Sequence, residues 1–406
     1  MDLQRLLWGN SSTRPRVPFH YSVLALLPVI SSLTITTWFF PQELGYIITG
    51  ATLVAVAAYG ALAYRILDAE IQIQVDSLFF ILMGGYWIGL LIHYYYAPHT
   101  ELLQYILVTP LAVVTTVLVI PALIDGRRET FTMGLTVVAV VVSLIGLGML
   151  WIDARTGVDL YRVGGSVMGI DGIRTISIFH NPNTYGFFMM AGSLAALYTY
   201  LARRGALWFG ALLLCLLGLL LSEGDAAFVG FAGGAVLVLS GPDRQYGFFG
   251  LIVVVIAIYV AIRLGHVGDI MGERLMNRAN RWVSSLERLA QDPMLGIGFA
   301  DTAEEIGEAR GPHNSYIYPL LNAGIIPGGL YLGALVYALG QGIRTRWTTW
   351  TGFVVGMTVA IFLYMGFESL FLGGLSISSI LLGVCLGLLL YPSGATNPPS
   401  SRQSLK

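Results

Sequence analysis

Charged residues are scarce in this sequence of 406 residues. Only 11% of the residues are Asp, Glu, Lys or Arg, whereas 56% are hydrophobic, and soluble domains carry about 25% charged residues. This composition excludes a single soluble domain and indicates that most of the chain lies in lipid. The net charge of −1 provides no broad basic surface, so we expect no nucleic-acid partner.

Cysteine is also nearly absent. Cys215 and Cys385 both fall inside hydrophobic runs, where the thiol typically serves as a small apolar core group. The sequence also lacks a glycine-rich phosphate loop of the Walker type and an outer Asp-x-Asp pair for a metal-bound nucleotide sugar. We therefore expect neither a cofactor nor a metal ion.

Long hydrophobic runs, by contrast, fill the chain. A membrane-spanning helix needs about 20 mainly apolar residues, and twelve segments reach or approach that length. The candidate spans are 21–40, 44–64, 77–97, 103–124, 130–152, 183–201, 206–221, 226–240, 246–264, 315–340, 350–367 and 374–391. The predicted fold class is therefore all-α, a polytopic membrane protein of about twelve transmembrane helices forming one integral membrane domain, 1–406.

The arginines predict the orientation of these spans. Basic residues near span ends mark the cytoplasmic side. With the N-terminus inside, every inner loop carries at least one basic residue and the short outer loops carry none. Those outer loops lie around Glu43, Glu101, Glu223 and Glu368. We expect a multi-pass protein of the cell (inner or plasma) membrane, with both termini and the polar tail 392–406 in the cytoplasm.

Two outer segments, 153–182 and 265–314, are long and charged, and such loops often carry function. The first ends in His-Asn-Pro-Asn, where Pro182 suits the first turn of a helix and Asn181 suits its N-cap. A helix N-terminus attracts anions, and Arg174 lies close enough in sequence to contribute. The alternative is a capped span whose arginine meets lipid phosphates at the membrane surface.

The second outer segment predicts an amphipathic helix along the outer membrane face. Its apolar residues recur at helical spacing, and they are Leu275, Ala279, Trp282, Leu286 and Leu289. Arg274, Arg278 and Arg281 fall within two turns, and arginine matches phosphate with a planar, bidentate fork. We expect the helix to end at Asp292-Pro293. The alternative is a solvated charged face with no ligand.

His313 stands at the entrance of the following hydrophobic run, in Gly-Pro-His-Asn-Ser. A neutral histidine can accept a proton, as a general base must. Lone histidines are also commonly structural, and the sequence leaves that alternative open.

Four motifs occur in order along these outer segments. They are Arg-x(6)-Asn-Pro-Asn-x-x-Gly (Arg174–Gly186), Arg-x-x-x-Trp (Arg278–Trp282), Asp-Pro-x-x-Gly-x-Gly (Asp292–Gly298) and His-Asn-Ser-x(8)-Gly (His313–Gly324). Together they resemble the O-antigen ligase and O-antigen polymerase superfamily. The resemblance covers residues 170 to 330 at the level of motifs, and the twelve-span plan extends it to the whole chain.

The resemblance implies a membrane glycosyltransferase of the GT-C type, which uses no metal and inverts the anomeric configuration. The donor would be a glycan on a polyprenyl diphosphate, undecaprenyl or dolichyl, and the acceptor a hydroxyl of a glycolipid or glycan. Arg174 and Arg278 would bind the diphosphate, with Arg281 as a substitute for Arg278, and His313 would contact or deprotonate the acceptor. Supporting residues would be Asn181, Asn183, Asn314 and Trp282.

One departure from the family pattern concerns the end of the seventh span. Many members have a Ser-x-Ser-Arg-like element there, whereas this chain reads Leu-Ser-Glu-Gly-Asp-Ala, 221–226, without an arginine. Ligase and polymerase remain open, because both use the same donor and chemistry. A lipid-linked glycan transporter is the alternative from another class, with His93 the main ionisable side chain within a span, and a non-catalytic scaffold is a third.

Overall fold

The computed structural model of the chain describes residues 20–65, 73–156, 166–167, 170–171, 175–241, 245, 249–250, 252, 269–298, 302–307 and 311–391. The predicted tail 392–406 and most of the predicted span 246–264 lie outside these residues. The helices are α1 His20–Thr36, α2 Gln42–Arg65, α3 Ser77–Tyr96, α4 Thr100–Ile124, α5 Arg128–Thr156, α6 Pro182–Arg203, α7 Ala206–Ser222, α8 Asp225–Leu239, α9 Asp269–Gln291, α10 Thr302–Glu305, α11 Ile317–Ala323, α12 Ile325–Arg344, α13 Thr349–Met365 and α14 Ile377–Leu390.

The predicted all-α class is confirmed. The strands among the described residues are β1 Ser166–Val167 and β2 Ile170–Asp171, an antiparallel pair of two residues each. Helix α4 contains a π-helical stretch, Val114–Val119.

Six of the described helices, α2 to α6 and α12, are long and apolar enough to cross a membrane. Five further apolar helices, α1, α7, α8, α13 and α14, are shorter. These eleven helices, all within the described part of the chain, each overlap one predicted span. The remaining predicted span is 246–264, so the total of twelve stays a prediction.

Helix α6 occupies the middle of the bundle. Every residue of α6 from Tyr185 to Thr199 is buried, and the helix packs against α5, α7 and α8. A central helix carries its first residues to the centre of one end of the bundle. The N-terminal asparagines of α6 therefore lie among the ends of its neighbours.

Glycines bring α8 and α13 together as antiparallel neighbours. A Cβ atom added at Gly234 would lie 2.7 Å from the Gly356 carbonyl oxygen, and one added at Gly356 would lie 2.6 Å from the Gly234 oxygen. Small residues allow the backbones of membrane helices to approach this closely. The contact places the C-terminus of α13 beside the N-terminus of α8.

The two ends of the bundle differ in their chemistry. At one end Arg203 Nη2 lies 3.0 Å from Glu129 Oε2, and the Arg128 guanidinium lies 5.4 Å from the centre of the Trp350 ring. These contacts join the start of α5, the end of α6 and the start of α13. The start of α6 and the end of α13 meet at the opposite end, which we call the site end.

The single span predicted over 315–340 is wrong, because the structure divides it at Gly324 into α11 and α12. Gly324 has φ +85, and an added Cβ atom would lie 2.0 Å from the Met294 carbonyl oxygen. The loop that follows α9 runs against this break, and Ile297 N donates to Leu321 O at 2.8 Å while Ile325 N donates to Pro293 O at 2.8 Å. Backbone pairing with the loop replaces helical bonds at the break.

Helix α9 confirms the predicted amphipathic helix and ends at Gln291, before Asp292-Pro293 as expected. Not all of its apolar residues are buried, however. Leu289 is buried against the protein, whereas Leu286 is 48% exposed. The helix therefore presents different faces to the protein and to its surroundings.

His93, the ionisable residue predicted within a span, is buried near the end of α3. Its Nδ1 atom lies 3.1 Å from the Leu295 carbonyl oxygen. A Cβ atom added at Gly298, where φ is +76, would lie 2.3 Å from its Nε2 atom. His93 thus holds the loop after α9 against α3, so its contacts are structural.

Candidate functional site

The start of α6 forms one wall of the site. Asn181 is the N-cap, its Oδ1 atom accepting from Asn183 N at 2.8 Å, and Pro182 occupies the first turn as predicted. The preceding chain is held in place by backbone bonds, with Thr175 N donating to Leu221 O at 3.0 Å and His180 N to Thr36 O at 2.8 Å. This anchoring fixes where the Asn183 side chain emerges.

Glu368, in the turn after α13, joins three distant parts of the chain. Its Oε1 atom accepts from Arg278 Nη2 at 3.0 Å and from Asn183 Nδ2 at 2.7 Å. Its Oε2 atom lies 3.4 Å from His313 Nδ1. The carboxylate side chain is only 11% exposed, so burial and two charged or polar partners hold it in one orientation.

The chain around His313 is fastened to the same turn. Asn314 Nδ2 donates to Gly366 O at 3.1 Å, and its Oδ1 accepts from Tyr316 N at 2.9 Å. The Ser315 hydroxyl donates to the backbone oxygen of Glu368. His313 itself has φ +47, a left-handed conformation that is uncommon for residues other than glycine and often accompanies functional sites.

Helix α9 closes the site from the other side. Trp282 Nε1 donates to Pro312 O at 2.9 Å, and Arg281 Nη1 to Gly311 O at 3.4 Å. The Arg278 guanidinium lies 5.8 Å from the centre of the Phe367 ring. These contacts bind α9 both to the loop that carries His313 and to the turn that carries Glu368.

A cavity of about 300 Å³ lies between these elements. Its lining comes from the starts of α6 and α8, from α9 and from the end of α13. The lining residues are Asn183, Glu223, Gly224, Asp225, Ala226, Asn277, Arg278, Arg281, Tyr364 and Glu368. The Tyr364 hydroxyl donates to Asn183 O at 3.0 Å and ties two of the walls together.

The charges of the lining are mixed. Arg278 and Arg281 face the same cavity as Glu223, Asp225 and Glu368, so carboxylates outnumber guanidinium groups by one. Glu223 has φ +51, a left-handed conformation that turns the chain sharply between α7 and α8. The 221–226 segment thus contributes carboxylates to the cavity. Many members of the O-antigen ligase and polymerase superfamily have an arginine at this place instead.

The structure brings together most of the residues predicted for the site. Asn183, Arg278 and His313 all contact Glu368, while Asn181, Arg281, Trp282 and Asn314 position the segments around them. Arg174 lies outside the described residues. Within the described part of the chain, no group of three or more His, Cys, Asp or Glu side chains could hold a metal ion.

Sequence reasoning missed the acidic members of the site. Glu368 entered the prediction only as a marker of a short outer loop, and Asp225 entered it only as part of the 221–226 stretch that lacks the family's arginine. The available signal was the rarity of charge, because a charged residue set among membrane-spanning helices is commonly functional. Glu368 is such a residue, set between the apolar runs of α13 and α14.

Comparison with known proteins adds no assignment to this site. No protein-family model matches the sequence, and no curated protein matches it either.

Proposed function

We propose that this protein is an O-antigen ligase-like glycosyltransferase, which moves a glycan from a polyprenyl diphosphate to an acceptor sugar hydroxyl at the site end. The observation that carries the proposal is the contact of one buried carboxylate, Glu368, with both Arg278 and His313. An anion-binding cation and a proton acceptor are thereby held side by side, as transfer from a diphosphate donor requires.

His313 acts as the general base. With a proton on Nδ1, donated toward Glu368 Oε2 at 3.4 Å, the Nε2 atom is free to accept a proton. The acceptor hydroxyl gives its own proton to Nε2 while its oxygen attacks the anomeric carbon of the donor glycan. The bond from that carbon to the diphosphate breaks at the same time. The 3.4 Å separation is long for a hydrogen bond, and such contacts commonly tighten when substrate binds.

The arginines stabilise the leaving diphosphate. Negative charge grows on the phosphate oxygens as the glycosidic bond breaks, so a fixed guanidinium lowers the energy of the transition state more than that of the ground state. Arg278 lines the cavity and Arg281 lines it one helical turn away. Before the donor binds, Glu368 accepts a hydrogen bond from Arg278 and compensates its positive charge. The donor phosphate then competes with Glu368 for the same N–H groups.

The carboxylates that line the cavity suit a sugar. Ionised carboxylates accept hydrogen bonds through both oxygens, and sugar hydroxyls are donors. Glu223 and Asp225 line the cavity together with both arginines. A sugar diphosphate presents both kinds of partner, hydroxyls for the carboxylates and phosphate oxygens for the arginines.

The experiment that tests the proposal uses the full chain in lipid vesicles with a synthetic polyprenyl diphosphate glycan and a glycan acceptor. Glycan transferred and polyprenyl diphosphate released are both measured. We expect Arg278→Ala to lower the rate by about 10²–10³-fold. Arg288→Ala is the matched control, because Arg288 is on the same helix but pairs with Glu305 at the surface. Equal loss in both variants would refute the role of Arg278.

The histidine is tested in the same assay. We expect His313→Ala to lower the rate by about 10²–10⁴-fold while the protein still inserts. His99→Ala is the matched control, since His99 is exposed and makes no capping bond at the start of α4. Normal transfer by His313→Ala at normal abundance would remove His313 from the mechanism.

Ligase and polymerase share this chemistry, and the acceptor separates them. In cells lacking the protein, long glycans stranded on the carrier lipid indicate a ligase, because polymerisation proceeds without it. Single repeat units on the carrier indicate an O-antigen or polysaccharide polymerase of the same superfamily.

One observation favours a lipid-linked glycan transporter instead, namely the broken helix pair α11 and α12. Transporters commonly bind substrate at discontinuous helices. Here, however, the loop after α9 itself pairs with backbone groups at the break, as Ile325 N does with Pro293 O. Movement of the intact donor across vesicles without acceptor, and without diphosphate release, would support transport over transfer.

A further inference from the structure

The surface of α9 that faces away from the protein is divided lengthwise into two sides. On one side lie Met276, Val283 and Leu286, with 63%, 55% and 48% of their surface exposed. Their spacing of seven and three residues keeps them in one row on a helix. We call this row the apolar stripe.

The other exposed side of α9 is polar. Asn277, Asn280 and Glu287 are exposed there, and Ser284 lies in the same row. The inward surface is a third side, formed by Arg278, Ser285 and Leu289 among others. The candidate site is formed by residues of the inward side and of the edge of the polar side. None of its residues belongs to the apolar stripe.

Beyond the end of α9, further exposed apolar residues lie at the rim of the candidate membrane-spanning helices. Met294 and Leu295 follow with 60% and 38% exposure, and Ile325 and Ile326 at the start of α12 are 50% and 56% exposed. The bond from Ile325 N to Pro293 O places these residues side by side.

The end of α3 extends the same rim. His93 Nδ1 lies 3.1 Å from Leu295 O, and the nearby Tyr95 and Tyr96 are 82% and 70% exposed. Tyrosines are enriched where a membrane helix meets the water interface. Since α3 and α12 are both candidate membrane-spanning helices, the apolar residues of this rim lie at the edge of the bilayer.

We infer that the apolar stripe of α9 is inserted in the outer leaflet, so that α9 lies in the membrane interface with its polar side toward water. A helix surrounded by water gains nothing from sorting its exposed Met, Val and Leu from its exposed Asn and Glu. A helix at a lipid surface requires that division. The inference does not depend on the proposed transfer reaction.

Spin labels on the full chain in lipid vesicles test this placement. Cysteines are introduced singly at two stripe positions, Val283→Cys and Leu286→Cys, and at two polar positions, Asn280→Cys and Glu287→Cys. The native cysteines are buried, and the unsubstituted chain gives the labelling background. Collision rates with oxygen, which partitions into lipid, and with a water-soluble nickel chelate are then compared.

We expect a higher ratio of oxygen to nickel collisions at both stripe positions than at both polar positions. Equal ratios at all four positions, or a higher ratio on the polar side, would overturn the inference. Spin–spin broadening of the label at position 283, absent on dilution with unlabelled protein, would instead show that a second copy covers the stripe. Two positions on each side keep the comparison valid if one variant fails to fold.

Discussion

Replacement of Glu368 by glutamine tests the site most sharply, because it changes the charge of the side chain and hardly its shape. The new amide oxygen can still accept from Arg278 Nη2 and Asn183 Nδ2, now at 3.0 and 2.7 Å from Oε1. The amide nitrogen then takes the place of Oε2 opposite His313 Nδ1. An amide N–H only donates, so Nδ1 must become the acceptor and the ring proton moves to Nε2.

The expected loss of transfer rate follows from this change of tautomer. With a proton on Nε2, His313 cannot accept the proton of the acceptor hydroxyl, and the general-base contribution of about 10²–10⁴-fold is lost. The corresponding Asp→Asn change behind the histidine of serine proteases lowers kcat by about 10⁴-fold. The free energy of unfolding should fall by about 1–3 kcal/mol, because two hydrogen bonds lose their charge assistance and the partly buried Arg278 loses its counter-charge.

The assay measures glycan transfer and thermal unfolding on the same vesicle preparation. Glu305→Gln is the matched control, because Glu305 pairs with Arg288 at the surface, and exposed pairs contribute about 0–1 kcal/mol. A Glu368→Gln variant that transfers glycan at the wild-type rate would refute the orienting role of Glu368. A variant that is inactive and also unfolded would show a structural role only.

Two further predictions concern the loop contacts that support the site. Gly324→Ala should destabilise the fold by more than about 1 kcal/mol in thermal unfolding, because φ +85 is strained for alanine and its Cβ atom would lie 2.0 Å from Met294 O. Gly329→Ala should not destabilise it, because nothing lies within 4 Å of a Cβ atom added there. Trp282→Phe should cost about 0.5–1.5 kcal/mol by loss of its hydrogen bond to Pro312 O, and unchanged unfolding would contradict that contact.

The sequence predicts the helices well, since hydrophobic runs and turn residues are local signals. The cap at Asn181, the first-turn Pro182 and the end of α9 before Asp292-Pro293 all follow from neighbouring residues. The break at Gly324 does not. A glycine inside an apolar run is tolerated in many helices, and only the approach of the loop after α9, about thirty residues earlier, turns this one into a break.

The face of α9 shows a second limit of pattern reasoning. Trp282, Leu286 and Leu289 recur at helical spacing, so the sequence groups them on one side. In the structure Leu289 packs inward while Leu286 points outward with Val283. Spacing locates residues around the helix axis, but which side faces the protein depends on partners elsewhere in the chain. Here the partner is the loop at Gly311 and Pro312, which binds Arg281 and Trp282.

The arginines were predictable from the sequence and their counter-ion was not, although physical reasoning links the two. Arg278 has only 21% of its side chain exposed, and a cation removed from water needs a partner before any phosphate arrives. The predicted topology puts most of the carboxylates on the same side of the membrane, and Glu368 is among the few of these that lie in short loops. The sequence separation of ninety residues hides this pair, yet the requirement for charge compensation at that end of the bundle identifies Glu368 as a residue to test.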